Sequence, residues 1–366
     1  MTSISIIGAG PIGSYTAQLL SKKGFQVNLI EEHKEIGTPI QCTGILTSSI
    51  KKVLKLKKDL ILNKLNNIEV VAPNKTSISF NLKEEEFIID RQKFDHYIYN
   101  KAIDGETTPY LNHRYMNMKG NNITIRDLKN KKIKNIKTDI LIGADGPLSQ
   151  VAKTSGLFNN RKFLLGIQAR IKTKNDPSTY KTFFGKNFPN FFGWFVPESK
   201  DIARVGLAAH NNSKFHFENF IKKFKGKIIE KQAGLIPIHN SKIKTQKNNT
   251  FLVGDAACQT KNTTGGGIIP GLICSKALTS SITNNLDYEK EWRKKIGSQL
   301  FIHKKIRETL DNFSDKDYNY LIKLLSNKKT KRVIESNSRE SPSKLISHLL
   351  LTEPKLLLFM KNLKLF

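Results

Sequence analysis

The chain has 366 residues, and its 61 lysines and arginines outnumber its 31 aspartates and glutamates, for a formal net charge of +30. Hydrophobic content of 38% and aromatic content of 9% exclude a disordered chain, and no run approaches the roughly 18 apolar residues of a membrane span. The length suits two or three lobes around a sizeable core, and the basic excess points to an anionic partner (nucleic acid, membrane surface or phosphorylated substrate) or to a lysine- and asparagine-rich background.

The first residues lead straight into a strand pattern, Ile4-Ser5-Ile6-Ile7, with none of the features of a signal peptide. The turn Gly8-Ala9-Gly10-Pro11-Ile12-Gly13 follows. A helix is predicted from about Gly13 to Lys23, stopped by Gly24, then a strand Phe25–Ile30. Residues 66–90 alternate polar and apolar around Pro73-Asn74-Lys75, as a hairpin would. A helix is predicted over about Arg91–Ala102, and a second hairpin over 123–142 ending on Ile140-Leu141-Ile142. Residues 160–245 read as a sheet-based lobe with one helix near 213–225. Phe251-Leu252-Val253 is a short buried strand, and from about Thr264 the pattern is helical to the end, broken at Ser341-Pro342 and Pro354. The three cysteines, Cys42, Cys258 and Cys274, are too scattered for a disulfide framework or a zinc site, so a cytoplasmic setting and no metal are expected.

The chemistry begins at Gly8-x-Gly10-x-x-Gly13. Gly8 permits the tight turn, Gly10 lets backbone approach a pyrophosphate, and Gly13 allows close helix–strand packing. The N-terminus of the helix that follows then offers unpaired N–H groups to the phosphates. Glu31, at the end of the second strand, is placed to accept hydrogen bonds from ribose hydroxyls. This unit says dinucleotide without choosing which one.

Two later strand ends choose. Ile140-Leu141-Ile142-Gly143-Ala144-Asp145-Gly146 and Phe251-Leu252-Val253-Gly254-Asp255 each finish on a glycine-flanked acid. The arrangement resembles the two-dinucleotide-binding-domain flavoproteins of the aromatic-hydroxylase type. That resemblance implies FAD, with Asp255 reaching the ribityl chain, the Asp145-Gly146 segment supporting the cofactor region and Arg91 near the flavin; the plain reading of Arg91 is a helix-start arginine paired with a carboxylate. Gly265-Gly266-Gly267 allows backbone to lie flat on a planar ring, and the helix starting near Ile268 aims its N-terminus there.

The resemblance narrows at two segments. Pro39-Ile40-Gln41-Cys42-Thr43-Gly44 looks like the Pro-x-x-Cys-x-Gly segment of the geranylgeranyl reductase family, and Phe192-Gly193-Trp194-Phe195-Val196-Pro197 like its Tyr-x-Trp-x-Phe-Pro stretch. Phe192 stands where that pattern has tyrosine and Val196 where it has phenylalanine, so no role carries over for the tyrosine hydroxyl. The family implies reduction of carbon–carbon double bonds in polyprenyl chains, here those of archaeal membrane glycerophospholipids, by hydride from reduced FAD. It implies Cys42 and Gly44 at the flavin, with Cys42 either supplying a proton or shaping the pocket, and Phe192, Trp194, Phe195 and Pro197 lining an apolar substrate site. The plain readings are a small buried thiol and core aromatics. Ferredoxin or NAD(P)H is the implied electron donor.

The implied fold is α/β, Rossmann-like. Its FAD-binding domain runs over 1–65, 91–158 and 246–285, an α+β substrate domain over 66–90 and 159–245, and a helical region over 286–366. The leucines and lysines of Leu345–Lys361 read either as a peripheral membrane contact or as a helix packed on the rest of the protein. Two other functions compete: a flavin monooxygenase on the same scaffold, and a nucleic-acid-binding protein. The second lacks a helix-turn-helix, an RNP-type strand or a basic arm, so no nucleic acid is expected.

Overall fold

The computed structural model describes residues 1–360; the last six residues of the expected helical region, Lys361 among them, lie outside the described residues. The chain forms two compact units, each assembled from three stretches of sequence.

The first unit comprises Met1–Ile40, Arg91–Lys162 and Pro237–Leu300. Its sheet has the order Gln246–Lys247, Thr250–Leu252, Ile140–Gly143, Ser3–Ile7, Gln26–Ile30, Thr108–Tyr110, and all strands but the first run parallel. Parallel strands are covered on both faces, which explains their unbroken apolar runs. Successive side chains alternate between the faces. Ile6, Leu29, Ile142 and Phe251 pack with Ala17 and Leu20 of the Pro11–Ser21 helix and with Cys274, Ala277 and Leu278 of the Ile268–Asn284 helix. Their neighbours Ile7, Ile30, Leu141 and Leu252 pack with Tyr115, Ile123, Ile125 and Ile136 of a three-stranded antiparallel sheet. That sheet is His113–Lys119, Asn122–Asp127 and Ile133–Lys137. The hairpin expected over 123–142 therefore stops at Lys137. Thr138 and Asp139 turn the chain, with Asp139 accepting from the Ser3 N–H (2.9 Å), and Ile140 enters the parallel sheet instead.

The second unit comprises Gln41–Asp90, Phe163–Ile236 and the described residues from Phe301. An eight-stranded sheet has the order Lys227–Pro237, Phe163–Lys172, Ile202–Ala209, Gly193–Pro197, Thr179–Phe183, Ile61–Val71, Ser77–Ile89, Ile45–Leu46. The Ser213–Ile221 helix packs Phe217 and Phe220 on one face, against Ala169, Phe195, Val205 and Leu207. Ile322 of the Asp315–Leu325 helix and Ile334 of the Lys328–Ser336 helix pack on Ala72, Ile78 and Phe80 of the hairpin.

The two-way division differs from the three expected regions. Residues 41–65 belong with the second unit because Ile45 and Leu46 pair with Ile88 and Phe87, and the Ile61–Val71 strand runs the length of the hairpin. Residues 286–300 belong with the first, where Tyr288, Trp292, Ile296 and Leu300 join its core.

Candidate active site

In the first unit the glycine turn is built by steric necessity. Gly8 has φ +98° and donates its N–H to Ile30 O (2.8 Å); a Cβ there would lie 2.5 Å from the Ala144 carbonyl oxygen. At Gly13 a Cβ would lie 1.8 Å from the Gly8 oxygen, so helix and turn interlock only with glycine at both positions. Gly10 is different: a Cβ there meets nothing within 4 Å. The space over Gly10, at a helix start with Pro11 first and no side-chain cap, is where an anionic group can approach bare backbone N–H groups. Glu31 ties the turn to the second strand. Its Oε2 accepts the Ala9 N–H (2.8 Å), and its Oε1 accepts the His33 N–H (3.0 Å) and meets His33 Nδ1 (2.6 Å). Oε2, with one donor so far, keeps capacity for a further one such as a ribose hydroxyl.

The strand ends carrying the other two acids lie at this same carboxyl edge of the sheet, where dinucleotides bind in open α/β folds. The two acids do different work. Asp145 caps a helix: Ser149 Oγ donates to its Oδ1 (2.6 Å) and the Val151 N–H to its Oδ2 (3.0 Å). Burial pushes its carboxyl up, against those hydrogen bonds. Asp255 has no hydrogen-bond donor among the described residues, and burial pushes it up to about 6 despite the Arg91 charge. A desolvated acid with no donor is an acceptor waiting for hydroxyls. Gly267 makes room for it, since a Cβ at that position would lie 2.6 Å from Asp255 Oδ1. Gly265 takes φ +69°, Gly266 bridges to Lys261, and Ile268 opens the 17-residue Ile268–Asn284 helix. Arg91 forms the two-pronged pair expected of a helix-start arginine, Nε to Asp95 Oδ1 (3.1 Å) and Nη2 to Oδ2 (2.9 Å), while its charge still acts on Asp255. Together the open cradle at Gly10, the acceptor at Glu31 and the unfilled acceptor at Asp255 fit a dinucleotide with a polyhydroxyl chain. A cavity lined by Tyr115, Asp139, Lys247 and Thr250 lies at the opposite, amino-terminal edge of the strands and takes no part.

In the second unit Cys42 is half-buried, and its Sγ accepts the Gly44 N–H (3.3 Å). Gly44 has φ +75°, and a Cβ there would lie 2.8 Å from Ile89 O and 2.9 Å from Arg204 Nη1, so the loop sits hard on the sheet. Trp194 lies in a row across three strands, Gln168–Gly206–Trp194. With no side chain at Gly206, the indole reaches over it, and Trp194 Nε1 donates to Gln168 Oε1 (3.2 Å). Phe192 continues from Trp194 (ring centroids 6.0 Å apart) to Phe191 (4.3 Å) and Phe184 (5.8 Å). Phe195 departs from the expectation. Adjacent strand residues point to opposite faces, and Phe195 is sealed in the core under the Ser213–Ile221 helix, stacked on Phe224 (5.3 Å). Pro197 shares its parity. Neither can stand beside Trp194.

The structure thus gathers Gly8, Gly10, Pro11, Gly13, Glu31, Arg91, Asp145, Asp255 and Gly265–Ile268 at one edge of the first unit. It gathers Cys42, Gly44, Phe192 and Trp194 on the second. Missed in the sequence were Gln168, Arg204, Glu198 and Gln232, which are buried around the Cys42 loop. Gln168 and Arg204, polar residues inside the largely apolar strands Phe163–Lys172 and Ile202–Ala209, were the available signal.

Comparison with known proteins bears on both units. Residues 6–43 match the NAD(P)-binding Rossmann-like domain family. Digeranylgeranylglycerophospholipid reductase 3 of Methanosphaera stadtmanae is 32% identical, over 93% of this chain and 96% of the relative. A digeranylgeranylglycerophospholipid reductase of Methanothrix thermoacetophila is 26% identical over 87% and 90%. Among solved structures, a geranylgeranyl bacteriochlorophyll reductase-like protein from Thermoplasma acidophilum superposes with a TM-score of 0.86 at 21% identity, covering 99% of this chain and 100% of that one. A flavin-dependent halogenase, CmlS, shares the fold at a TM-score of 0.68 and 13% identity. At 32% identity over nearly the whole of both sequences, the chain belongs to the digeranylgeranylglycerophospholipid reductase family.

Proposed function

We propose that the protein is an FAD-dependent oxidoreductase that saturates carbon–carbon double bonds of geranylgeranyl chains carried by archaeal-type glycerophospholipids. The observation that carries the cofactor is Asp255. A nicotinamide dinucleotide presents cyclic riboses, and Glu31 serves the one at the glycine turn; a second acid without a donor, at the end of a separate strand, suits the linear ribityl hydroxyls of FAD. Glu31, Gly8, Gly10, Pro11 and Gly13 hold the adenosine and pyrophosphate, and Gly265, Gly266, Gly267 and Ile268 present backbone to the flavin. Bound there and reduced by an external donor, ferredoxin or NAD(P)H, FAD supplies the hydride.

The substrate reading rests on the relatives' names and on the chemistry of Trp194. The only polar atom of its side chain is spent inward on Gln168, so the indole offers a substrate nothing but hydrocarbon. With half-buried Phe192, the largely buried indole (8% exposed) makes an apolar patch suited to an isoprenoid, which has no polar handle. The alkene carbon that does not take hydride needs a proton, and Cys42 is assigned that role. The Gly44 N–H steadies the sulfur as the proton leaves, and solvent returns it.

Among the described residues no helix is long and apolar enough to cross a membrane. A peripheral contact at the inner membrane face is supported by leucines exposed at the carboxyl end: Leu351 (82%), Leu357 (52%) and Leu358 (53%), beside exposed Lys344 and Lys355. The test of the function is anaerobic. Holoenzyme reduced with dithionite and mixed with digeranylgeranyl glycerophospholipid should regain the oxidised-flavin absorbance. Reoxidation only on admitting oxygen, with a hydroxylated product, would assign the scaffold to a monooxygenase.

A further inference from the structure

Around the Cys42 loop the second unit buries an unusual amount of polarity. Gln168, Gln232, Glu198 and Arg204 are only 4–7% exposed, in surroundings where apolar side chains would be as stable. Their hydrogen bonds run in two arms that meet at Thr43, the neighbour of Cys42. In the first arm Thr43 Oγ1 donates to Gln168 Oε1 (2.9 Å), and Gln168 Nε2 donates to Gln232 Oε1 (2.6 Å). Gln232 Nε2 then donates to Glu230 Oε1 (3.0 Å). In the second arm Arg204 Nη1 donates to the Thr43 carbonyl (2.6 Å) and its Nε to Glu198 Oε2 (2.9 Å). Arg170 bridges Glu198 (2.6 Å) to Glu230 (3.3 Å), closing the ring.

The first arm has a direction. The Trp194 indole can only donate and the Glu230 carboxylate can only accept, so both amides are fixed between them. The Gln168 oxygen must therefore face Thr43, and the Thr43 hydroxyl must spend its hydrogen there. Thr43 is clamped at its side chain and at its carbonyl, one residue from the thiol. We propose that Gln168 and Arg204 are positioning residues that fix Cys42 for proton delivery, a role that rests on the assignment of that proton to Cys42.

The test uses holoenzyme carrying Gln168→Leu, Thr43→Val and Thr43→Ser; the last keeps the hydroxyl that donates to Gln168. Because Cys258 and Cys274 are buried, iodoacetamide reads Cys42. Gln168→Leu and Thr43→Val should each lower kcat about tenfold with little change in KM, as misplacement of a reacting group does. Each should shift the Cys42 alkylation rate by roughly threefold or more, since reactivity follows the thiol's surroundings. Thr43→Ser should recover much of both. In a Cys42→Ala background, adding Gln168→Leu should cost nothing further. A cost that persists in that background, or alkylation at the wild-type rate in both Gln168→Leu and Thr43→Val, overturns the clamp. If Cys42→Ala itself turns over at the wild-type rate, the proton assignment fails, and the alkylation rates alone then judge whether Gln168 positions the thiol.

Discussion

Replacing Asp255 by asparagine should stabilise the FAD-free protein and weaken its hold on FAD. The carboxyl is pushed up to about 6 by burial, from 3.8. A group raised on folding contributes stability that is fully present below its unfolded pKa, near 3.8, and lost as the pH rises through about 6. Each pKa unit is about 1.4 kcal/mol, so by pH 8 the ionised, donorless carboxylate costs at most about 3 kcal/mol, since the residue keeps some exposure; at pH 5 it costs about half as much. Asparagine cannot ionise, so chemical denaturation of apo protein should show Asp255→Asn more stable than wild type by up to about 3 kcal/mol at pH 8 and by roughly half that at pH 5. Saturating FAD should reverse the order, because ligand stabilisation follows affinity. An Asp255→Asn variant no more stable than wild type at pH 8 would mean that Asp255 is not a destabilised acid, and one that binds FAD as well would mean that it is not an acceptor for the cofactor.

Gly13→Ala places a methyl 1.8 Å from the Gly8 oxygen, and the purified variant should carry no FAD; a variant that retains stoichiometric flavin would contradict the cradle. Phe195→Leu and Trp194→Leu should separate cleanly. The first should lose about 1–3 kcal/mol in denaturation with kcat and KM unchanged, as core truncations do. The second should raise KM for the prenyl lipid severalfold, and equal kinetic effects would show that both line the substrate. The triple change Leu351→Ser, Leu357→Ser, Leu358→Ser should weaken sedimentation with anionic vesicles about tenfold, the worth of roughly 0.5 kcal/mol per partly inserted leucine. Unchanged sedimentation would remove this end of the protein from the membrane contact.

The glycine turn was legible because backbone sterics leave few alternatives: only glycine tolerates the approach of Gly13 to Gly8, and that demand is written in three spaced letters. Asp255 was legible for a similar reason, as an acid ending a strand too apolar to be exposed. Phe195 was misjudged because a linear motif treats neighbours as companions, whereas a strand sends them to opposite faces. The Thr43 clamp was invisible. Residues 168, 194, 204 and 232 meet only because Phe163–Lys172 lies between Lys227–Pro237 and Ile202–Ala209, and the latter pairs with Gly193–Pro197; Thr43 joins them from a loop. Nothing local fixes that register. The division at residue 41 was missed on the same ground, since the two-residue strand Ile45–Leu46 gains its meaning only from its partner at Phe87–Ile88.

The most direct test of the central claim is to incubate dithionite-reduced holoenzyme anaerobically with digeranylgeranyl glycerophospholipid and count added hydrogens by mass spectrometry. A product series gaining two hydrogens per double bond is expected, abolished in a flavin-free Gly13→Ala variant. An unchanged lipid mass, or a product gaining oxygen once air is admitted, would contradict it.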